Sequence, residues 1–136
     1  MRNERACDFQ LDLRVYWEDT DAGGIVYHAN YLKFMERART EWLRRLGLEQ
    51  HRLRETEGVI FVVSDIELRL LQPAQLDDLL TVNVALAVPG RASIWLRQDV
   101  LRQGQPLCTG RVRVACVEAA TRRPRRLPAA VADLGP

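Results

Sequence analysis

The chain has 136 residues, of which 47% are hydrophobic and 28% charged; the length fits one domain, residues 1–136, and the balance excludes a disordered chain. Twenty Lys+Arg against eighteen Asp+Glu leave a formal net charge of +2, too small to mark a nucleic-acid or membrane-surface binder. The longest apolar run, Val59-Ile60-Phe61-Val62-Val63, falls far short of the ~20 residues that span a bilayer.

Residues 1–8 hold no apolar stretch of the kind that heads a secretory signal, which predicts a cytoplasmic location. Cys7, Cys108 and Cys116 are odd in number and show no CxxC spacing, so free thiols, buried or half-buried, are expected rather than a disulfide framework or a zinc site. Lys33 is the only lysine, and the arginines are spread over every segment.

Phe9-Gln10-Leu11-Asp12-Leu13-Arg14-Val15 alternates apolar and polar, predicting a half-buried strand with its odd-numbered residues toward the core. The next stretch, Glu18-Asp19-Thr20-Asp21-Ala22-Gly23-Gly24, is rich in turn residues and predicts a loop. From about Asn30 the period changes. Tyr31, Phe34, Met35, Ala38, Trp42 and Leu46 fall at three- and four-residue spacings, predicting an amphipathic helix that stops at Gly47. A short polar helix follows around residues 49–57, closed by Gly58.

Four strand patterns complete the chain. In the first, Ile60, Val62, Ile66, Leu68 and Leu70 share one parity and Phe61, Val63, Asp65, Glu67 and Arg69 the other, until Pro73 breaks the run. Leu80, Val82, Val84, Leu86 and Val88 alternate up to a Pro89-Gly90 turn, and residues 94–101 and 107–117 follow, separated by Gln103-Gly104-Gln105. The order β-α-β-β-β-β with hairpin-length connections implies an α+β protein: a five-stranded antiparallel sheet with one long helix on one face. The tail, residues 118–136, contains Arg122-Arg123-Pro124-Arg125-Arg126 and then turns rich in Ala and Pro; a solvated, partly ordered tail is expected, with contact to an anionic ligand as the alternative.

The chemistry concentrates in Asp19-Thr20-Asp21-Ala22-Gly23-Gly24-Ile25-Val26-Tyr27-His28, just before the long helix. Unsatisfied N–H groups and the positive end of the helix dipole favour negative charge there, including a developing oxyanion. The adjacent glycines let a substrate approach the backbone. A carboxylate in that setting can serve as general base or nucleophile, although Asp before a helix also caps and turns. A metal site built on Asp19, Asp21 and His28 lacks a second nearby histidine and is not expected.

The stretch Tyr16-Trp17-Glu18-Asp19-Thr20-Asp21-Ala22-Gly23-Gly24-Ile25-Val26-Tyr27-His28-Ala29-Asn30-Tyr31 resembles the signature of the hot-dog-fold acyl-CoA thioesterases. The branch is that of 4-hydroxybenzoyl-CoA thioesterase and of the thioesterase associated with the bacterial Tol–Pal system. Phe34-Met35-Glu36-Arg37-Ala38-Arg39-Thr40-Glu41 continues the similarity, closer to the Tol–Pal-associated members. Residues 65–71 leading into Pro73-Ala74-Gln75-Leu76-Asp77-Asp78, and Arg123-Pro124-Arg125-Arg126-Leu127-Pro128, extend it over nearly the whole chain.

The resemblance implies a curved antiparallel sheet around one long helix, and hydrolysis of acyl-CoA thioesters to a carboxylic acid and coenzyme A. It places the catalytic carboxylate at Asp21 and the backbone oxyanion donor at His28, whose imidazole is a further candidate for assisting catalysis. Gly24 and Tyr27 are candidates for substrate contact; packing is the other reading of Tyr27, a place beside the acyl group the functional one. Arg91 and Ser93 follow the Pro89-Gly90 turn, where related proteins place groups near the phosphates or pantetheine of coenzyme A, and Arg suits phosphate through its fork of donors. Asp19 is expected to order the loop, and Tyr31 to pack. No metal or redox cofactor is expected, since a thioester is already electrophilic and coenzyme A is part of the substrate.

The competing readings are a hydratase or dehydratase of acyl thioesters, disfavoured because the loop has no His–Phe–Pro–Gly segment, and a non-catalytic acyl-CoA or acyl-carrier-protein binding module of a membrane-associated complex. Acyl carrier protein is also the alternative carrier of the substrate. A homo-oligomer, dimer or tetramer, is expected, because strands apolar on both parities would expose an apolar face or edge; the resemblance adds that sites of the family lie at a subunit interface.

Overall fold

A computed structural model describes residues 8–134; Cys7 lies outside the described residues. In chain order the elements are β1 (Phe9–Arg14), a 3-10 turn (Trp17–Asp19), α1 (Asn30–Arg45), α2 (Gln50–Glu57), β2 (Val59–Leu70), β3 (Leu79–Pro89), β4 (Ser93–Arg102), β5 (Gln105–Glu118) and a short α3 (Ala129–Ala132). The five strands form one antiparallel sheet in the order β1-β3-β4-β5-β2, so β1 and β2 are its edges. Among the described residues no helix is long and apolar enough to cross a membrane.

α1 buries Tyr31, Phe34, Met35, Ala38 and Trp42 of the stripe that its three- and four-residue spacings set out, with Leu43 in addition, while Leu46, past the last turn, is only half-buried. It ends in paired bonds, Leu48 N–H to Leu43 C=O at 2.8 Å and Gly47 N–H to Arg44 C=O at 3.0 Å. That closure needs a left-handed residue after the last turn, and Gly47 supplies it with φ +84°. The stripe lies against Leu80, Val82 and Val84 of β3 and Ile94, Leu96 and Val100 of β4, all buried.

One polar side chain sits in this apolar layer. Gln98 is fully buried, and its Nε2 donates to Met35 C=O at 3.0 Å and to Asn83 C=O at 3.4 Å. Its Oε1 accepts from Arg39 Nη1 at 2.9 Å, so one amide joins the middle of α1 to the centre of the sheet. The Arg39 guanidinium is held below its ordinary pKa, because burial disfavours its charge more than Glu36 supports it.

β2 departs from the single parity expected of it. The pairing with β5 shifts between Val63 and Asp65, and this bulge at Ser64 switches the strand's faces. Before it Val59, Phe61 and Val63 lie opposite Glu118, Cys116 and Val114; after it Ile66, Leu68 and Leu70 lie opposite Val112, Gly110 and Cys108. The residues over the core-facing side of β5 are thus odd before the bulge and even after it, which accounts for much of the apolar content on both parities.

The tail is more tightly held than its composition suggests. Arg125 N–H donates to Cys116 C=O at 2.9 Å and Leu127 N–H to Arg91 C=O at 3.0 Å. Leu127 and Val131 are buried, while Arg122, Arg123, Arg125 and Arg126 remain exposed. Two buried apolar side chains and these backbone bonds dock a segment whose charges stay at the surface.

Replacing Gln98 by Ala leaves the half-buried Arg39 without its acceptor and opens a void under α1. The variant is expected to lose roughly 2–4 kcal/mol of stability, read from urea unfolding. Cys108 and Cys116 are both buried and free. Burial, with a contribution from the Asp99 charge, pushes the Cys108 thiol up to about 11, so near pH 8 only about one part in a thousand is thiolate. Iodoacetamide should therefore spare Cys108 in the folded protein and alkylate it in urea, as peptide mapping would show.

Candidate active site

The segment between β1 and α1 is built on Asp19. Its carboxylate Oδ2 accepts the Tyr16 N–H at 2.8 Å, and the residue is buried. Its backbone carbonyl accepts two donors at 2.9 Å, the Tyr27 N–H and Asn30 Nδ2. Ala29, at the cap position, has no side-chain acceptor to offer; instead the first helical residue, Asn30, ties the head of α1 back to the loop. The carbonyl and one carboxylate oxygen of Asp19 thus hold the loop together, in keeping with turn chemistry.

Between those anchors the chain forms a small closed hairpin. Thr20 and Val26 bridge, Asp21 N–H donates to Ile25 C=O at 2.9 Å, and Gly24 N–H donates to Asp21 C=O at 3.0 Å. Gly24 has φ +82°, which the tight return requires and which side chains resist. Asp21 sits at the exposed tip. Its Oδ1 accepts the Gly23 N–H at 2.8 Å, and its other oxygen meets no protein donor among the described residues.

The hairpin leads straight into the head of α1. The N–H groups of His28 and Ala29 find no protein acceptor among the described residues, the usual condition of a helix start. The exposed His28 ring tilts against Tyr27 with centroids 4.5 Å apart. His28 also lines a groove of about 250 Å³, with Ile25, Val26 and Tyr31 on one side and residues 70–73 on the other. The two sides are laced together by Val26 N–H to Ala74 C=O at 2.9 Å and by a bridge between Ile25 and Gln75.

Tyr31, at the bottom of the groove, accepts the Ala74 N–H on its hydroxyl at 3.1 Å. Burial raises its pKa, outweighing the bond from Ala74, so the phenol stays neutral. Nearby, burial would raise the Asp78 carboxyl, but bonds from the Gln75 N–H at 2.8 Å and Arg102 Nη1 at 2.7 Å hold it below the ordinary carboxylate range.

One loop thus gathers Asp21, Gly24, Tyr27 and His28. Arg91 and Ser93 lie elsewhere, in the hairpin between β3 and β4, beside the docked tail. The eleven residues of β3 separate that end of the sheet from the loop, on the order of 30 Å at strand rise. A single protomer does not bring the two groups together. Asn30, Ala74 and residues 70–73 fall in or beside the stretches that carry the resemblance, but no role attaches to them in the sequence; their parts follow from contacts between segments distant in the chain.

Comparison with known proteins agrees with this architecture. The model of the thioesterase-like superfamily matches residues 15–134. The acyl-CoA thioesterase YbgC of Haemophilus influenzae is 43% identical over 120 residues, 88% of each chain. The acyl-CoA thioester hydrolase YbgC of Escherichia coli O6:H1 is 40% identical over 124 residues, covering 90% of this chain and 92% of its own. A solved structure of a probable thioesterase from Bartonella henselae aligns with a TM-score of 0.84 at 38% identity, covering 88% of this chain and 98% of its own. The chain belongs to the thioesterase-like superfamily and has its hot-dog fold, an antiparallel sheet with one long helix laid against it.

Proposed function

We propose that the protein hydrolyses acyl-CoA thioesters, giving a free carboxylic acid and coenzyme A. The observation that carries this reading is the pairing, within one short loop, of a carboxylate oxygen left free at Asp21 with an unspent N–H at His28, beside a mostly apolar groove. The thioester carbonyl would accept from the His28 N–H, where the helix head favours the oxygen's growing negative charge. The free oxygen of Asp21 then attacks the carbonyl carbon, or takes a proton from the water that does. The C–S bond breaks, and the sulfur leaves as the thiolate of coenzyme A and is protonated. Where Asp21 is the nucleophile, water then cleaves the acyl–aspartyl anhydride, freeing the acid and the carboxylate; either way one water is consumed overall. Both relatives named YbgC are thioester hydrolases by name, which favours hydrolysis over a hydratase or a binding module. No metal is needed for these steps.

The coenzyme contacts expected of Arg91 and Ser93 require a second copy. β2 is an edge strand whose Val63, Ile66 and Leu70 are each more than two-fifths exposed, an invitation to pairing. An antiparallel pairing of β2 with its copy about Ile66 would set the Val62 end of one strand against the Leu70 end of the other. Ser93 lies level with Val62 through Ala115, and Leu70 walls the groove. Such a dimer carries Arg91, Ser93 and the tail arginines of one protomer toward the Asp21 loop of the other.

The deciding experiment is a hydrolysis screen over acyl-CoA chain lengths, an aromatic thioester and an acyl carrier protein thioester, with free thiol as the readout. Asp21→Asn keeps an oxygen for the Gly23 N–H but loses the free carboxylate oxygen, so kcat should fall about a hundredfold or more with substrate binding kept. Asp19→Ala should instead cost about 1 kcal/mol of stability through the lost Tyr16 bond. His28→Ala should fall between them in activity, since the backbone N–H survives. Wild-type activity in a folded Asp21→Asn protein overturns the assignment. Light scattering at micromolar concentration should give a dimer or a multiple of one; a monomer contradicts the shared site.

A further inference from the structure

We infer that Tyr31 is a positioning residue that sets the width of the substrate groove through its hydroxyl; this rests on the thioesterase reading above. Tyr31 and Ala74 are 43 residues apart, yet the Ala74 N–H donates to the Tyr31 hydroxyl at 3.1 Å with both residues buried. The same Ala74 offers its carbonyl to the Val26 N–H at 2.9 Å. One residue therefore joins three segments: the head of α1, the hairpin that carries Asp21, and the connection from β2 to β3.

The flanks of Ala74 are anchored independently. Leu71 and Gln72 donate to Leu107 C=O at 2.9 and 3.2 Å, and Gln75 and Asp78 close a turn of their own whose Asp78 carbonyl accepts the Val15 N–H at 2.9 Å. Pro73 has no N–H to give. Among the described residues, the hydrogen bond that draws this connection onto α1 at the groove is the one to the phenol. Its ring is steadied by an edge contact with Phe34, centroids 6.0 Å apart. Burial keeps the phenol un-ionised, so the contact holds through the neutral pH range. Asp21 is held by its own bonds to Ile25 and Gly24, and His28 lies between Tyr27 and Asn30, which are bonded to Asp19 and Tyr27, so loss of the hydroxyl should loosen the groove wall at α1 and leave the reacting groups in place.

Tyr31→Phe is the test, because it keeps the ring and its packing and removes only the acceptor. Amide exchange at Ala74 should quicken at least about tenfold, as for a buried N–H that has lost its partner. With acyl-CoA substrates KM should rise about tenfold and discrimination between acyl groups should narrow, while kcat stays within about threefold. Unchanged exchange at Ala74 overturns the clamp. Faster exchange with unchanged KM overturns the groove-setting role, and a fall in kcat alone would put Tyr31 at the reacting atoms instead. If wild type hydrolyses no thioester, the functional reading fails while exchange still decides the clamp. Should Tyr31→Phe not fold, exchange in wild type decides: Ala74 must be strongly protected, and exchange at the rate of an open chain overturns the contact.

Discussion

Two donors meet on one carbonyl oxygen, and the site depends on that meeting. The Tyr27 N–H and Asn30 Nδ2 both reach the backbone oxygen of Asp19 at 2.9 Å. A carbonyl has two lone pairs, and a buried one left unpaired costs about 1–3 kcal/mol. Satisfying both fixes where the hairpin closes and where α1 begins. Each aspartate accepts one N–H on its carboxylate, Asp19 from Tyr16 and Asp21 from Gly23. The difference between them is burial: Asp19 lies inside the knot, while Asp21 stands exposed at the hairpin tip, where its other oxygen can meet a ligand.

The sheet supplies the platform on which that knot is held. α1 is the one long helix among the described residues and covers one face of five strands. Apolar burial gives it adhesion but little directional preference, since one methyl group packs about as well as another. Gln98 adds direction, because an amide aimed at Met35 C=O and at Arg39 tolerates only a narrow range of helix positions. A helix set in depth and register by Gln98 holds its head, and so the His28 N–H, at a defined place beside the groove.

The outer parts of the site have a different logic. The hairpin with Arg91 and Ser93 stands at the far end of the sheet, where the tail docks through Leu127 and brings further arginines beside it. Among the described residues, the ion pair formed by these arginines is that of Arg125 with Glu118 at 3.7 Å. In the dimer proposed above, a ligand with an apolar arm and phosphates at its far end would bridge the Asp21 loop of one protomer and this basic hairpin of the other.

The strands, the long helix and its stop at Gly47, and the loop with two aspartates and two glycines were all legible in the sequence by itself. Alternation, helical spacing and turn chemistry are relations between near neighbours, so they survive without a fold. The resemblance singled out Asp21 and His28 on the same local stretch. Other matters belonged to the tertiary structure alone. The bulge at Ser64 exchanged the faces of β2 because pairing with β5, and not the strand's own pattern, decides which residue faces which. The tail docked because Leu127 and Val131 found a surface that no local feature announces. Arg91 and Ser93 fell far from Asp21, and Tyr31 found Ala74 across 43 residues. Each of these is set by hydrogen bonds and burial between distant segments, and contacts of that kind leave no period in the chain to read.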